Sequence, residues 1–176
     1  MGDSVLSLSE ITTSFQDNYA GDISFQQIRD LVNSKLNCYG GIYYSGAGVT
    51  QSGFTSGVFS KLTVFGADGL ASGCTVSHSS DNIIATTAGY YLVNFRARIA
   101  ESSPAANVFS FRIYNSGIYS GFQAKATLTA NEGASLSVSG IMYVEVSGAI
   151  EVYASNSTSL NHIDVYSARL SVRRIL

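Results

Sequence analysis

The chain has 176 residues, 45% of them hydrophobic, and carries 10 Lys and Arg against 12 Asp and Glu, a formal net charge of -2. That balance, with no basic run, excludes a nucleic-acid binder held by phosphate contacts, the apolar runs are too short to span a bilayer, and the apolar content excludes disorder. Only 12% of residues are charged, against the roughly 25% usual for soluble domains, so the surface is either covered by Ser, Thr, Asn and Gly or partly buried against copies of the same chain.

The first residues, MGDSVLSLSE, have neither a basic region nor an apolar core, so no secretory signal is expected. Gly2 follows Met, but the sixth position is Leu rather than Ser or Thr, so lipidation is not expected either. Cys38 and Cys74 are then expected as free thiols. There is no Cys-x-x-Cys pair, and His78 and His162 stand apart from other ligand types, so neither zinc nor any other cofactor is expected.

Residues 1–35 hold five acids (Asp3, Glu10, Asp17, Asp22, Asp30) and two bases (Arg29, Lys35), a net of -3, leaving +1 for the remainder. One helix is expected in this part. Ser24 is a suitable N-cap, Gln27 completes a capping box, and Ile23 with Ile28 forms a hydrophobic staple. Ile28, Leu31, Val32 and Leu36 make one apolar stripe opposite Arg29, Asp30 and Asn33. The helix is expected to end near Asn37, before Gly40-Gly41.

From Gly41 the period changes to two. Strands are expected at 41–45, 58–65, 74–78, 83–86, 90–100, 107–114, 118–122, 124–129, 134–146, 149–155 and 162–175, rich in Val, Ile, Thr, Tyr and Phe and separated by turn residues. In the strand at 90–100, Tyr91, Val93, Phe95, Ala97 and Ile99 share one face, with Tyr90, Asn94, Arg96 and Arg98 on the other. Asn115-Ser116-Gly117 reads as a hairpin turn. Some ten strands with no second helix point to a mainly β fold, an antiparallel jelly-roll sandwich with an N-terminal arm and one short α-helix. The division expected is an arm and helix over 1–38 and a β domain over 39–176. The non-core strand positions carry Ser, Thr, Tyr, Asn and Ala, among them Ser135, Ser137 and Ser139, which suits a subunit interface better than a wetted edge.

No catalytic constellation emerges, so no enzyme is expected. There is no nucleophile elbow, and the glycines at 46, 48, 53 and 57 precede no helix. Glu145 and Glu151 are expected to flank a hairpin at Ser147-Gly148, an arrangement that seldom makes a glycosidase pair. Asp68, Asp81-Asn82 and Asn156 read as turn residues rather than calcium ligands. Arg96, Arg98, Arg169, Arg173 and Arg174 read either as solvent-exposed or interface charge, or as a ring near a threefold axis or a contact with an acidic partner surface.

Two resemblances add to this reading. Thr86–Ile99, TTAGYYLVNFRARI, resembles the hallmark strand of the tumour-necrosis-factor-like jelly roll, with Gly89, Tyr91, Val93 and Phe95 in the motif positions. Leu136–Val146, Gly148–Ala154 and Val165–Val172 are similar to its last three strands, although Gly148-Ala149 replaces a Gly-Asp turn and Tyr166-Ser167-Ala168 a Phe-x-Gly. This resemblance implies a homotrimer, with Tyr90, Leu92, Asn94, Arg96, Val165, Ser167, Arg169 and Ser171 at the interface. Ile11–Ser34 is similar to a segment of tailed-phage virion proteins through Phe15, Asp17-Asn18, Gly21, Ile23-Ser24, Arg29-Asp30-Leu31-Val32 and Ser34. It implies a bacteriophage capsid decoration (cement) protein made in the host cytoplasm, stabilising the shell and docked on the major capsid protein by Phe15, Tyr19, Ile23, Ile28 and Leu31. The alternative is a short head- or tail-fibre protein that binds a host surface glycan. Neither nucleic acid nor membrane is expected as a partner.

Overall fold

The computed structural model describes residues 38–100, 106–129, 132–156 and 162–175. The expected helix and the docking residues Phe15, Tyr19, Ile23, Ile28 and Leu31 lie outside the described residues. Every regular element within them is a strand: β1 (Tyr39–Ser52), β2 (Ser60–Lys61), β3 (Ala67–Asp68), β4 (Cys74–Ser77), β5 (Asn82–Ala85), β6 (Gly89–Ala100), β7 (Asn107–Asn115), β8 (Ile118–Leu128), β9 (Gly133–Val144), β10 (Ala149–Asn156) and β11 (His162–Arg174).

The strands form two antiparallel sheets. One runs β3-β1-β11-β6-β9 and the other β4-β5-β10-β7-β8, with β2 beside β10. Neighbours in each sheet are mostly distant in sequence, as a jelly roll requires. Alternation builds the core between the sheets. In β6, Tyr91, Val93, Phe95, Ala97 and Ile99 are all buried, and from the facing sheet come Phe109, Phe111, Ile113, Ile150 and Val152. Phe95 stacks on Phe111 across the gap with ring centroids 5.6 Å apart.

The expected turn at 115–117 closes β7 onto β8. Ser116 and Gly117 both have positive φ, 50° and 80°, the pair of left-handed residues that matches strand twist in a two-residue hairpin. Other expectations need correction. The segments 118–122 and 124–129 are a single strand, β8. β1 runs on to Ser52 through an irregularity between Ser45 and Val49, where the sequence reading stopped at Ser45. The expected strand over 58–65 pairs only at Ser60–Lys61. Its apolar residues Leu62, Val64 and Phe65 are buried, but side chains replace much of the ladder. Gln51 donates from Nε2 to Lys61 O (2.8 Å) and accepts from Thr63 N (2.7 Å).

The expected Glu145–Glu151 hairpin is overturned. β9 and β10 belong to different sheets, so Ser147-Gly148 is a crossover, pinned to the end of β5 by Ser147 N to Ala85 O and Ala85 N to Gly148 O. Glu151 instead accepts an ion-paired hydrogen bond from Lys61 Nζ at 2.5 Å.

Candidate interaction surface

The outer face of the five-stranded sheet is built row by row from its register. Tyr39 of β1 faces Arg173 of β11, which faces Leu92 of β6, which faces Ile141 of β9. The next row is Gly41, Ser171, Asn94 and Ser139; the one after is Tyr43, Arg169, Arg96 and Ser137; the fourth is Ser45, Ser167, Arg98 and Ser135. Tyr90 and Tyr143 close the sheet at the Leu92 end, in edge-to-face contact at 5.3 Å.

The face therefore has a chemical gradient. One end is apolar and aromatic: Ile141 is 55% exposed, Tyr90 and Tyr143 47% each. The middle is a row of small polar residues. Beyond it stand Arg96, Arg169 and Arg98, the last over the Tyr166 ring at 5.9 Å, while Arg173 lies within the apolar end between Tyr39 and Leu92.

The face is also concave. A groove of about 740 Å³ is bounded by Tyr39, Tyr43, Leu70, Arg96 and Arg169 over a floor of Gly41 and Ser171. A second hollow of about 400 Å³ lies over Asn94, Arg96 and Ser135, Ser137 and Ser139. Arg96 borders both, standing between the larger trough over β1 and β11 and the smaller hollow over β9.

Of the eight residues assigned to an interface from sequence, seven lie on this face: Tyr90, Leu92, Asn94, Arg96, Ser167, Arg169 and Ser171. Val165 does not. It is fully buried in the core, because the register of β11 against β6 shifts between Val165 and Ser167 and strict alternation fails across that bulge. The sequence reading did not assign Tyr39, Tyr43, Ile141 and Tyr143 to the interface. Their signal was their phase: Tyr39 and Tyr43 alternate with buried Ile42, and Ile141 and Tyr143 with buried Met142 and Val144.

The opposite sheet carries its own side-chain contacts, with Ile118 exposed at the start of β8. Arg112 lies between the rings of Phe59 (3.8 Å) and Tyr119 (4.5 Å) and donates to Gln123 Oε1 at 3.0 Å. Tyr114 stacks on Tyr153 at 4.1 Å.

Several titratable groups at the edge of the sandwich are held by hydrogen bonds. The Cys38 thiol donates to Gly73 O at 2.7 Å and lies 3.1 Å from the Tyr91 hydroxyl, which donates to Thr87 O. Burial pushes the Cys38 thiol up, and pushes Cys74 up to about 12. Both are free. His78 is held beside Asp68, whose Oδ1 accepts the His78 backbone N–H at 2.6 Å and whose Oδ2 lies 3.1 Å from Nδ1. Among the described residues no group of three or more His, Cys, Asp or Glu is placed to hold a metal.

The class this architecture defines is an antiparallel jelly-roll sandwich. No family model and no curated protein sequence matches the chain. Among solved structures it is similar to the Eiger TNF of S. frugiperda, with a TM-score of 0.55 and 10% identity over 80% of this chain and 94% of that one. The PRD1 vertex protein P5 aligns with a TM-score of 0.48 and 14% identity, over 80% of this chain and 99% of that one. The Eiger likeness is one of fold, and it agrees with the jelly roll expected from the Gly89-Tyr91-Val93 strand.

Proposed function

We propose that the chain is a non-catalytic structural protein of a tailed-phage virion, a homotrimer that decorates the capsid. In this reading the jelly rolls meet through the outer face of β1, β11, β6 and β9, and residues 1–38 anchor each copy on the major capsid protein. The observation that carries it is the apolar end of that face, where Tyr90, Tyr143, Leu92 and Ile141 stand together. The acidic segment 1–35, similar to tailed-phage virion segments, supplies the docking element. Three modest contacts on one rigid trimer bind far more tightly than one.

Two measurements test this. Sedimentation at micromolar concentration is expected to give a trimer, and a stable monomer overturns the assembly. Counting copies per virion is expected to give hundreds. A dozen or two favours the fibre reading, in which the exposed tyrosines meet a host glycan, and no copies at all overturns the virion assignment.

A further inference from the structure

The arginines pose a problem for any surface that is covered. Arg96 and Arg169 are direct register partners on β6 and β11, which places their Cβ atoms about 4.5–5.5 Å apart with like charges opposed. The Lys61–Glu151 ion pair and the Asp68–His78 contact do not reach these guanidinium groups. The carboxylate that the sheet places on this face is Asp164, at its far end, accepting from the Thr50 hydroxyl. Burying two like charges without a counter-charge is costly. A second copy meeting this face through the same sheet brings Tyr, Ser, Asn and more Arg from its strands.

We infer that Arg96 and Arg169 are a seat for a phosphate-type oxyanion, held in the trough where copies of the chain meet; the location rests on the assembly proposed above. Both side chains border the 740 Å³ groove, so an ion between them is reached from it, and Arg96 also borders the hollow on its other side. Guanidinium forks match the oxygens of a tetrahedral anion two at a time. Ser171, which lines the same groove two residues along β11 from Arg169, adds a hydroxyl donor. The small floor at Gly41 leaves room for the ion.

The test uses the full chain, exchanged into phosphate- and sulfate-free buffer and titrated with inorganic phosphate, read by sedimentation velocity and native mass spectrometry. The oligomer is expected to carry phosphate mass and to tighten by about tenfold per seat when phosphate reaches about ten times its Kd. Arg96→Gln and Arg169→Gln are expected to lose both effects. Arg173→Gln, on the same face but outside the trough, is expected to keep them. An oligomer that forms equally well without phosphate and carries none overturns the seat and leaves the assembly standing. A monomer that binds phosphate through Arg96 and Arg169 keeps the seat and overturns its place between copies. A monomer that binds none overturns both.

Discussion

The ring of Phe122 fills the space where a side chain at position 140 would begin: a Cβ added to Gly140 would lie 2.2 Å from the Phe122 ring. β8 and β9 are edge strands of opposite sheets, and Gly140 is the socket that lets the Phe122 ring close that side of the sandwich. Gly140→Ala is therefore expected to destabilise by about 1–3 kcal/mol through overpacking, measured by urea denaturation. In the Gly140→Ala/Phe122→Leu double variant the penalty is expected to fall below the sum of the singles, since neighbours in contact are not additive. Strict additivity removes the socket as the cause.

Asp81 shows a cost within the fold. It sits at φ 49° in the β4–β5 turn, is buried, and accepts from Phe65 N at 3.4 Å. Burial raises its carboxyl above the ordinary value of 3.8, although the Phe65 hydrogen bond, Lys61 and His78 oppose this. The folded chain thus holds this proton more tightly than the unfolded one. Its stabilising contribution is fully present below about pH 3.8 and is lost as pH rises through the folded value. Asp81→Asn keeps an acceptor for Phe65 and a residue tolerant of positive φ, without the charge. The variant is expected to be more stable than wild type at pH 7, with the gain vanishing below pH 4, as read from urea midpoints at both values. A loss at pH 7 means that Lys61 and His78 outweigh burial.

The β6 alternation and the turn at 115–117 were legible because one rule dominates each: a period of two with one buried face, and a sequence that admits positive φ. The segment around Leu62 was not. Its composition is that of a strand, but Gln51 and Asp81, 12 and 16 residues away from their backbone partners Thr63 and Phe65, satisfy groups a ladder would have paired. Side chains that stand in for backbone partners leave no periodic trace. The Glu145–Glu151 pair failed for a related reason. A glycine turn between two strands looks the same whether it joins neighbours in one sheet or crosses to the other. On the candidate face, the phase of β6 placed four residues correctly, whereas the bulge in β11 misplaced Val165.

The thiols are expected to be slow nucleophiles. Burial raises Cys38 and Cys74 above the ordinary value of 9.0, Cys74 to about 12, and it raises Tyr91 above its ordinary 10.0. Thiolate is the reactive form, so labelling with a disulfide reagent at pH 7.5 is expected to be much slower in the native chain than in urea. For these three groups the neutral form is the one the fold prefers. The stability they lend is fully present below pH 9 and is lost as pH rises toward the folded values. Cys74→Ala is expected to flatten the fall in urea midpoint between pH 9 and 11. An unchanged slope assigns the alkaline loss to Cys38 and Tyr91.

Ile141 separates folding from assembly. It is 55% exposed on β9 and is the register partner of Leu92, so its side chain lies over the apolar end of the face rather than in the core. Ile141→Lys is expected to change the urea midpoint of the dissociated chain by no more than about 0.5 kcal/mol equivalent, as for surface substitutions generally. The same change puts a charge at the apolar end of the surface proposed to join copies, beside Leu92 and near the Tyr90–Tyr143 pair. Desolvating that ammonium without a partner is costly, and sedimentation is expected to show monomer at concentrations where wild type is assembled. Lys125→Glu on β8, in the opposite sheet, is the matched control and is expected to leave assembly intact. If Ile141→Lys assembles as wild type does, the copies do not meet on this face.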